Sequence, residues 1–501
     1  MKKIIQYLWI LPVGIMLMSC EKFLTQIPLD TYTTDSKYKN QADFNQAIAG
    51  VYSYNMRLYS DHAGWFSRVN LRSDDSRTGG DYTYGFTEFT ENNVDVTFLN
   101  DGWKQLFKIV SFSNLILDKI DAGVFTDANL KNYIKGEALF FRAYAYWTLC
   151  WQFGGMPLYN KEMSIEEIRK IPRSTQDETF DFSIADYKSA YDLLPDVWSN
   201  ENRGRITKYA AAGMLARLYM FRRNFSAAKP YLEAIINSGK YRKDADYVDC
   251  FSDKDEYSGE RVWAVEFTGG LLGKGTSYPT SAFPQGLPTV NSYMPFSGYN
   301  TAVRVSQSMI EAYEPGDLRK NVSAVTNVLF STGLDTVSWW CTKYIHYVKY
   351  KPQAANDWAI NINILRYTDV EMMYAEALNE EGYKAGGDAF RIINEVRARA
   401  GLPPLNPAVV SDQGKFREAI KHERRVEFSW EGLRWLDLIR WGDVVQVMNE
   451  FFKHPDEPKI GGVTPYSMKP HQILFQIPKD QLDRYNDINI MWQNPGYTSG
   501  N

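Results

Sequence analysis

A dense block of charged and bulky apolar residues near the C-terminal end constrains the fold more than any other stretch. Residues 419–442 read AIKHERRVEFSWEGLRWLDLIRWG. Ile420, Val426 and Trp430 recur at the spacing of one helical face. Charged groups held among aromatic residues are usually paired, so we interpret them as scaffold and not as ligand contacts. The block predicts two short helices that meet near Gly432, with arginine–carboxylate pairs in a partly buried seam.

The first twenty residues predict a secreted chain with a lipid anchor. Lys2 and Lys3 precede an apolar run over residues 4–18, which is too short for an ordinary membrane span and is typical of a signal peptide. The run ends in LMSC, which resembles a bacterial lipobox. That resemblance implies cleavage after residue 19 and acylation of Cys20. Because each buried methylene contributes about 0.8 kcal/mol, several acyl chains would hold the protein on a membrane.

Charge and metal-binding residues argue against several kinds of partner. The formal net charge is −4, whereas a nucleic-acid-binding protein needs a basic patch. Five histidines and four cysteines occur without C-x-x-C or H-E-x-x-H spacing, which argues against a structural zinc site. We predict no metal ligands and no cofactor, although the sequence does not decide whether calcium participates. With Cys20 acylated, an odd number of cysteines remains, so at least one is a free thiol. Cys150 is most simply a small buried hydrophobe.

Helical periodicity dominates the N-terminal half. Apolar residues at helical spacing predict helices that begin near Asp43 and Asp101, and a third helix over about residues 127–151. Thr175 and Glu178 form a capping-box pattern that opens a further helix.

Residues 207–239 match the spacing of a tetratricopeptide hairpin. Small residues at Ala216 and Ala228 would let two helices approach closely, and Gly239 would close the pair. Stacked hairpins of this kind bury a continuous core. The fold is therefore predicted to be mainly α, with tetratricopeptide-like hairpins that support an irregular, loop-rich region with a few short strands.

Several further motifs carry a family resemblance. The stretch ERRVEFSWEGLRWLDLIRWG, over residues 423–442, is similar to the C-terminal signature of the SusD/RagB family of nutrient-binding outer-membrane lipoproteins. Other blocks resemble that family in the expected order: CEKFLTQIP after the leader, LRYTDVEMMYAEALNE over 365–380, INEVRARAGLPPL over 393–405 and QNPGY over 493–497. The sequence FSWE departs slightly from the family's usual residues before its Phe-Glu pair.

The resemblance implies a fold, a location and a function. It implies a SusD-like fold, with a signal peptide over 1–19, a helical region over 20–240 and a C-terminal region over 241–501 that contains a loop-rich insert, 241–363. It implies a lipoprotein on the outer face of the outer membrane. Such a protein would capture an oligomeric nutrient, in the first place a glycan, and pass it to a SusC-like, TonB-dependent transporter without any chemistry.

Two segments, 64–102 and 241–363, do not show helical periodicity and are rich in aromatic and polar residues. A sugar has apolar ring faces and a belt of hydroxyls, so its site needs flat aromatic platforms beside hydrogen-bonding side chains. The same mixture of residues suits peptides. Residues 261–267 alternate like a short strand within the second segment.

The family resemblance implies that ligand is held by residues from these two segments. The candidate ligand-binding residues are Asp74, Asp75, Arg77, Tyr82, Tyr84, Tyr293, Phe296, Trp339 and Trp340.

Three alternative functions remain open at this stage. The same architecture could bind peptides. A glycoside hydrolase would need two carboxylates about 5 to 10 Å apart across a cleft, and 60 acidic residues leave room for such a pair. A tetratricopeptide adaptor would bind protein alone. No nucleophile elbow or phosphate-binding loop favours catalysis.

Overall fold

The fold is seen in a computed structural model that describes most of the chain. The described residues are 37–60, 71–78, 87, 89, 93–255, 257–283, 303–330, 333–336, 338–454 and 466–497.

Helices make up most of the described structure. In chain order they are α1 Gln41–Ser60, α2 Asn93–Lys119, α3 Ala128–Phe153, α4 Ile165–Ile168, α5 Gln176–Leu193, α6 Lys208–Phe221, α7 Phe225–Asn237, α8 Tyr278–Ala282, α9 Gln307–Ala312, α10 Arg319–Ser323, α11 Tyr367–Glu381, α12 Asp388–Arg399, α13 Gln413–Glu427, α14 Arg434–Trp441, α15 Val444–Phe451 and α16 Lys479–Tyr485.

Short strands are interspersed among the helices. They are β1 Ser76–Thr78, β2 Arg261–Val265, β3 Val303–Val305, β4 Ala324–Val325, β5 Val328–Phe330, β6 Gly333–Asp335, β7 Trp339–Cys341 and β8 Ile362–Arg366. They form one four-stranded sheet in the order β1-β3-β7-β4 and two antiparallel pairs, β2 with β8 and β5 with β6. The prediction of a mainly α fold with a few short strands is therefore confirmed.

The long helices pack against their neighbours in a series. Helix α3 packs against α2 and α5, α6 packs against α5 and α7, and α11 packs against α7 and α12. One large apolar core runs through this series, and a smaller core that includes Phe390 and Phe416 lies under α11 to α13. Because α7 contacts α11, helices on both sides of residue 240 belong to one packed unit.

The predicted hairpin is confirmed by helices α6 and α7. Ala216 and Ala228 are both fully buried, as the close approach of two helices requires. Gly239 follows α7 with a φ of 64°, a left-handed conformation that glycine adopts at little cost. The predicted capping box is confirmed, since Thr175 and Glu178 form it. Asp127, near which a helix was predicted to begin, caps α3.

One helix begins earlier than predicted. The segment 64–102 was expected to be irregular, but α2 starts at Asn93 and continues through it. The β-branched residues Val94 and Val96 lower helix propensity and so conceal the start. Burial of Leu99 and Trp103 shows that tertiary packing outweighs that local preference.

We expect the same Gly-to-Ala change to have opposite effects at two helical positions. A Cβ on Gly213 in α6 would collide with Leu365 Cδ2, so overpacking should destabilise the fold by about 1 to 3 kcal/mol. A Cβ on Gly50 in α1 would meet no atom within 4 Å, so the better helix former should stabilise by up to about 1 kcal/mol. Urea unfolding of Gly213→Ala and Gly50→Ala measures both, and equal effects would contradict the proposed close contact.

Candidate functional site

The four-stranded sheet joins the two segments from which a ligand site was predicted. Strand β1 comes from the first segment, and β3, β4 and β7 come from the second. The pairing is antiparallel, with Ser76 opposite Val305 and Val305 opposite Trp339. Residues more than two hundred positions apart in sequence are thus brought side by side on adjacent strands.

One face of this sheet carries a row of cations and a ring. Arg77 lies opposite Arg304, and Arg304 lies opposite Trp340. Directly opposed residues of antiparallel strands point to the same face, so the three side chains form one row. The Arg304 guanidinium carbon lies 5.2 Å from the centroid of the Trp340 ring, and that of Arg77 lies 4.6 Å from the Phe451 ring. Arg77 and Trp340 are buried, whereas Arg304 is half-buried.

The opposite face of the sheet rests on the core. Ser76, Val305 and Cys341 are buried on this side. Trp339 shares this face, because strand alternation turns it away from Trp340. Its ring is half-buried, and the Lys320 ammonium nitrogen lies 4.6 Å from its centroid. The two adjacent tryptophans therefore present their rings on opposite faces and do not form one shared platform.

Ion pairs attach the first segment to the charged block near the C-terminal end. Arg434 donates to both carboxylate oxygens of Asp74, each at 2.8 Å. Arg425 lies 3.0 Å from Asp74 and 2.9 Å from Asp75. In addition, the Trp430 indole N–H donates to the Ser76 hydroxyl over 2.8 Å. The block thus holds the polypeptide that leads into β1.

Both aspartates are enclosed by this arrangement. Asp74 is 3% exposed and Asp75 is 1% exposed. Burial alone would raise their pKa values, but Arg425 and Arg434 hold the pKa of Asp74 well below its usual range. Burial and the neighbouring Asp74 carboxylate leave the pKa of Asp75 raised, despite the attraction of Arg425. Because the carboxylates of Asp74 and Asp75 are ion-paired with Arg425 and Arg434, we leave both aspartates out of the proposed ligand site.

A second, more deeply buried network of ion pairs surrounds Glu427. Arg366 Nε lies 2.8 Å from Glu431, and Arg366 Nη2 lies 3.0 Å from Glu427. Arg319 and Arg399 also contact Glu427, at 3.1 and 2.6 Å. Glu427 is fully buried, yet these cations hold its pKa well below the usual range against the opposing effect of burial. The predicted seam of arginine–carboxylate pairs exists, and it is more deeply buried than the sequence suggested.

The turn between the two helices of the block lies where it was predicted. Helix α13 ends at Glu427 and α14 begins at Arg434. Gly432 has a φ of 77° in the connection, and Trp430 also adopts a left-handed φ of 59°. A non-glycine residue keeps this conformation only where its surroundings fix it. Trp430 meets this condition, because it is 2% exposed and is enclosed by neighbouring residues.

Several predicted residues lie outside the described ranges. These are Tyr82, Tyr84, Tyr293, Phe296 and the lipidation residue Cys20. Two residues that were not predicted, Arg304 and Lys320, lie beside the rings of Trp340 and Trp339. The Val-Arg-Val alternation of residues 303–305 is a strand signal that could have identified Arg304, but Lys320 had no such signal.

A cluster of potential metal ligands occurs near strand β2. Ligand atoms of Asp244, Cys250 and Glu260 lie within 4.8 Å of one another. Glu260 is already bound to Arg366 and to Arg399 Nη1, the latter at 2.8 Å. Burial also raises the pKa of Cys250 well above its ordinary value, which disfavours the thiolate that a metal needs. This cluster fits an internal ion-pair network better than it fits a cation.

No helix within the described ranges combines the length and the apolar character needed to cross a lipid bilayer.

Known structures share this fold over nearly the whole chain. Surface glycan-binding protein A from Bacteroides fluxus is 24% identical and has a TM-score of 0.76, with 92% of this chain and 100% of that chain covered. The corresponding protein from Bacteroides thetaiotaomicron, solved with laminarihexaose, is 21% identical with a TM-score of 0.76, covering 91% and 100%.

Sequence comparison identifies relatives of the same kind. SusD-like protein P25 from Formosa agariphila is 27% identical over 93% of this chain and 94% of its own length. A family model described as the SusD family matches residues 291–497. A second, described as starch-binding associating with outer membrane, matches residues 26–220. The two matches lie in tandem and together span most of the sequence, so the chain belongs to the SusD family.

Proposed function

We propose that this protein binds an oligomeric glycan at the cell surface and delivers it to a TonB-dependent transporter. Names of its structural neighbours support the ligand class, since they include a laminarin-binding SusD-like protein and a glycan-binding protein solved with laminarihexaose. The description of the N-terminal family match, starch-binding associating with outer membrane, supports the same class and the location.

The observation that carries the proposal is the junction of both candidate segments in one sheet. Trp339 offers a half-buried ring at this junction, while Arg304 and Trp340 lie on the other face. Ring faces would stack on the apolar faces of a sugar, and guanidinium groups would donate to its hydroxyls. We propose Trp339 as a ligand-binding residue on one face of the sheet and Arg77, Arg304 and Trp340 as ligand-binding residues on the other face. Tyr82, Tyr84, Tyr293 and Phe296 would add contacts from the adjoining segments.

Delivery to a transporter requires that the protein be held at the membrane. Acylation of Cys20 would supply this anchor, with the folded part facing outward on its tether. The partner would be a SusC-like, TonB-dependent transporter. Affinity purification of the full-length lipoprotein from membranes of its native cells tests this step, because the transporter should co-purify with the wild-type chain.

The proposed mechanism is binding without bond cleavage. Two structural neighbours are named as binding proteins, which supports this reading. Incubation with a bound glycan should therefore release no new reducing ends.

A peptide ligand remains the second candidate, because the sheet offers aromatic rings and backbone-binding polar groups that suit either ligand. A combined glycan and peptide array on the soluble chain from residue 21 separates the two.

Replacing Trp339 by alanine should weaken glycan binding about tenfold. One lost ring contact is worth roughly 0.5 to 1.5 kcal/mol, and 1.4 kcal/mol is a factor of ten in affinity. Trp339→Phe keeps a ring and should retain most of the affinity. Isothermal titration with the best glycan from the array measures each variant.

Trp492→Ala is the matched control, because Trp492 is an exposed tryptophan (38% exposed) whose ring contacts Arg173 far from β7 in sequence. It should leave the affinity unchanged. If Trp339→Ala folds and binds as tightly as Trp492→Ala, the sheet is not the ligand site.

A further inference from the structure

A separate cavity of about 240 Å³ opens beside strand β2. Its walls come from the segment that precedes α6, from the segment that follows α7 and from residues 257–259, 261–264 and Glu266. None of its lining residues belongs to the four-stranded sheet, so it is distinct from the ligand site proposed above.

Positive side chains dominate the lining of this cavity. Arg205, Lys240, Arg242 and Arg261 contribute cations, and Glu266 contributes an acid. Arg205 is neutralised by Glu137, whose carboxylate lies 2.9 Å from Arg205 Nε. Lys240 and Arg242 are exposed, and within the described part of the chain neither forms an ion pair. The cavity therefore carries more positive charge than its own residues compensate.

Arg261 is a half-buried cation in this lining. Its terminal nitrogens donate to the backbone carbonyls of Asp255 and Ser252, at 2.7 and 2.9 Å, and not to a carboxylate. Its Nε is buried and finds no hydrogen-bond acceptor among the described residues. Burial lowers the pKa of Arg261 by more than the nearby Cys250, Asp244, Asp255 and Glu266 raise it. A guanidinium with a buried Nε that has no acceptor is stabilised by an incoming anion.

The backbone and the aromatic residues around the cavity position the remaining groups. A Cβ on Gly259 would lie 2.6 Å from Arg242 Cγ, so the absence of a side chain lets the Arg242 stem lie across this residue. The Arg242 amide donates to the Gly259 carbonyl over 3.0 Å, which holds the two segments together. At the rim, Tyr257 is 44% exposed, and the Arg203 guanidinium carbon lies 5.1 Å from its ring centroid.

We propose that this cavity binds the carboxylate or sulfate group of an acidic sugar unit. Guanidinium groups match planar and tetrahedral oxyanions with paired hydrogen bonds, and the Tyr257 ring offers a platform for the sugar face. A volume below the roughly 300 to 1,000 Å³ of drug-sized sites suits one sugar ring and not an extended chain. The inference rests on the proposed function and narrows the glycan to one with acidic units.

Nuclear magnetic resonance titration of the mature soluble chain tests the proposal with four probes. Methyl glucuronide and galactose 6-sulfate distinguish the two acidic groups, methyl glucoside is the neutral sugar, and sodium sulfate is the bare anion. We expect at least one acidic sugar to bind with a Kd on the order of 1 mM. Methyl glucoside should not bind in the cavity, and sodium sulfate should bind at least tenfold more weakly than the preferred acidic sugar.

The variant Lys240→Gln with Arg242→Gln should lose at least tenfold in affinity for the acidic sugar. Both positions are exposed, so thermal melting should remain at the wild-type temperature. Lys415→Gln is the control, because that side chain is 58% exposed and lies outside the cavity. The control should bind the acidic sugar as tightly as wild type.

Three results would overturn the inference: no binding of either acidic sugar, equal binding of sodium sulfate, or unchanged binding by the double variant. The glycan array and the Trp339→Ala variant test the proposed function separately. If Trp339→Ala weakens binding of an array glycan while the cavity binds no acidic sugar, this inference fails and the glycan-binding function stands. If no glycan binds and the array selects peptides, the proposed function fails as well.

Discussion

Arg366→Met should destabilise the folded protein by about 4 kcal/mol, because breaking a buried ion pair from one side leaves charge unpaired in the core. Arg366 is 1% exposed and contacts the carboxylates of Glu260, Glu427 and Glu431. Methionine fills a similar volume but neutralises none of the three acids. Urea unfolding followed by circular dichroism measures the change in the free energy of unfolding.

Arg391→Met is the matched control for this effect. Arg391 is also an arginine with two acidic partners, Asp388 and Glu395, but its side chain is 56% exposed. Exposed pairs contribute little, so the control should change stability by less than about 1 kcal/mol. A loss of similar size in both variants would show that burial of the network does not determine its importance.

Local periodicity explains why the helices could be predicted from the sequence. Ala216 and Ala228 mark a close helix pair whatever the rest of the chain does, and the capping box at Thr175 is complete within four residues. The two helices of the 419–442 block could be predicted for the same reason. These signals lie within one or two helical turns, where sequence spacing translates directly into spatial proximity.

Long-range pairing explains what could not be predicted. Asp74 and Arg434 are 360 positions apart, and nothing near either residue identifies the other. An aspartate in a polar, aromatic-rich segment has the same local pattern whether it faces a ligand or a buried arginine. Asp74 was therefore expected at the ligand, although the 419–442 block was expected to need charged partners. The pairing of β1 with β3 has the same origin, since three-residue strands carry too little pattern to specify a partner.

Trp339 and Trp340 illustrate an intermediate case. Both were predicted as ligand-binding residues, yet adjacent residues on a strand point to opposite faces. Recognition of the strand would have placed the two rings on opposite faces from the sequence alone. The flanking segment gave no clear alternation, and β7 is defined by its pairing with β3 and β4.

Asp74→Ala should have the second large effect, a loss of about 3 kcal/mol in the free energy of unfolding. It removes the bidentate partner of Arg434, whose side chain is 11% exposed, and one of the two acids beside Arg425. Because Asp74 precedes β1, the same change should also weaken glycan binding. Asp181→Ala is the control, since its carboxylate is 66% exposed and pairs with Arg222, and it should alter stability by less than about 1 kcal/mol.

A double-mutant cycle with Arg434→Met separates a supporting role of Asp74 from a ligand-contacting one. If Asp74 supports the sheet, Arg434→Met alone should reproduce the loss of both stability and affinity. The double variant should then lose less than the sum of the single variants, by about 1 to 2 kcal/mol, because no arginine is left without its acid. If Asp74 contacts the ligand instead, Asp74→Ala should lower affinity at nearly constant stability, and Arg434→Met should not lower affinity in parallel. Measuring both quantities on the same four proteins distinguishes these roles, because a buried ion pair links stability to affinity whereas a direct contact does not.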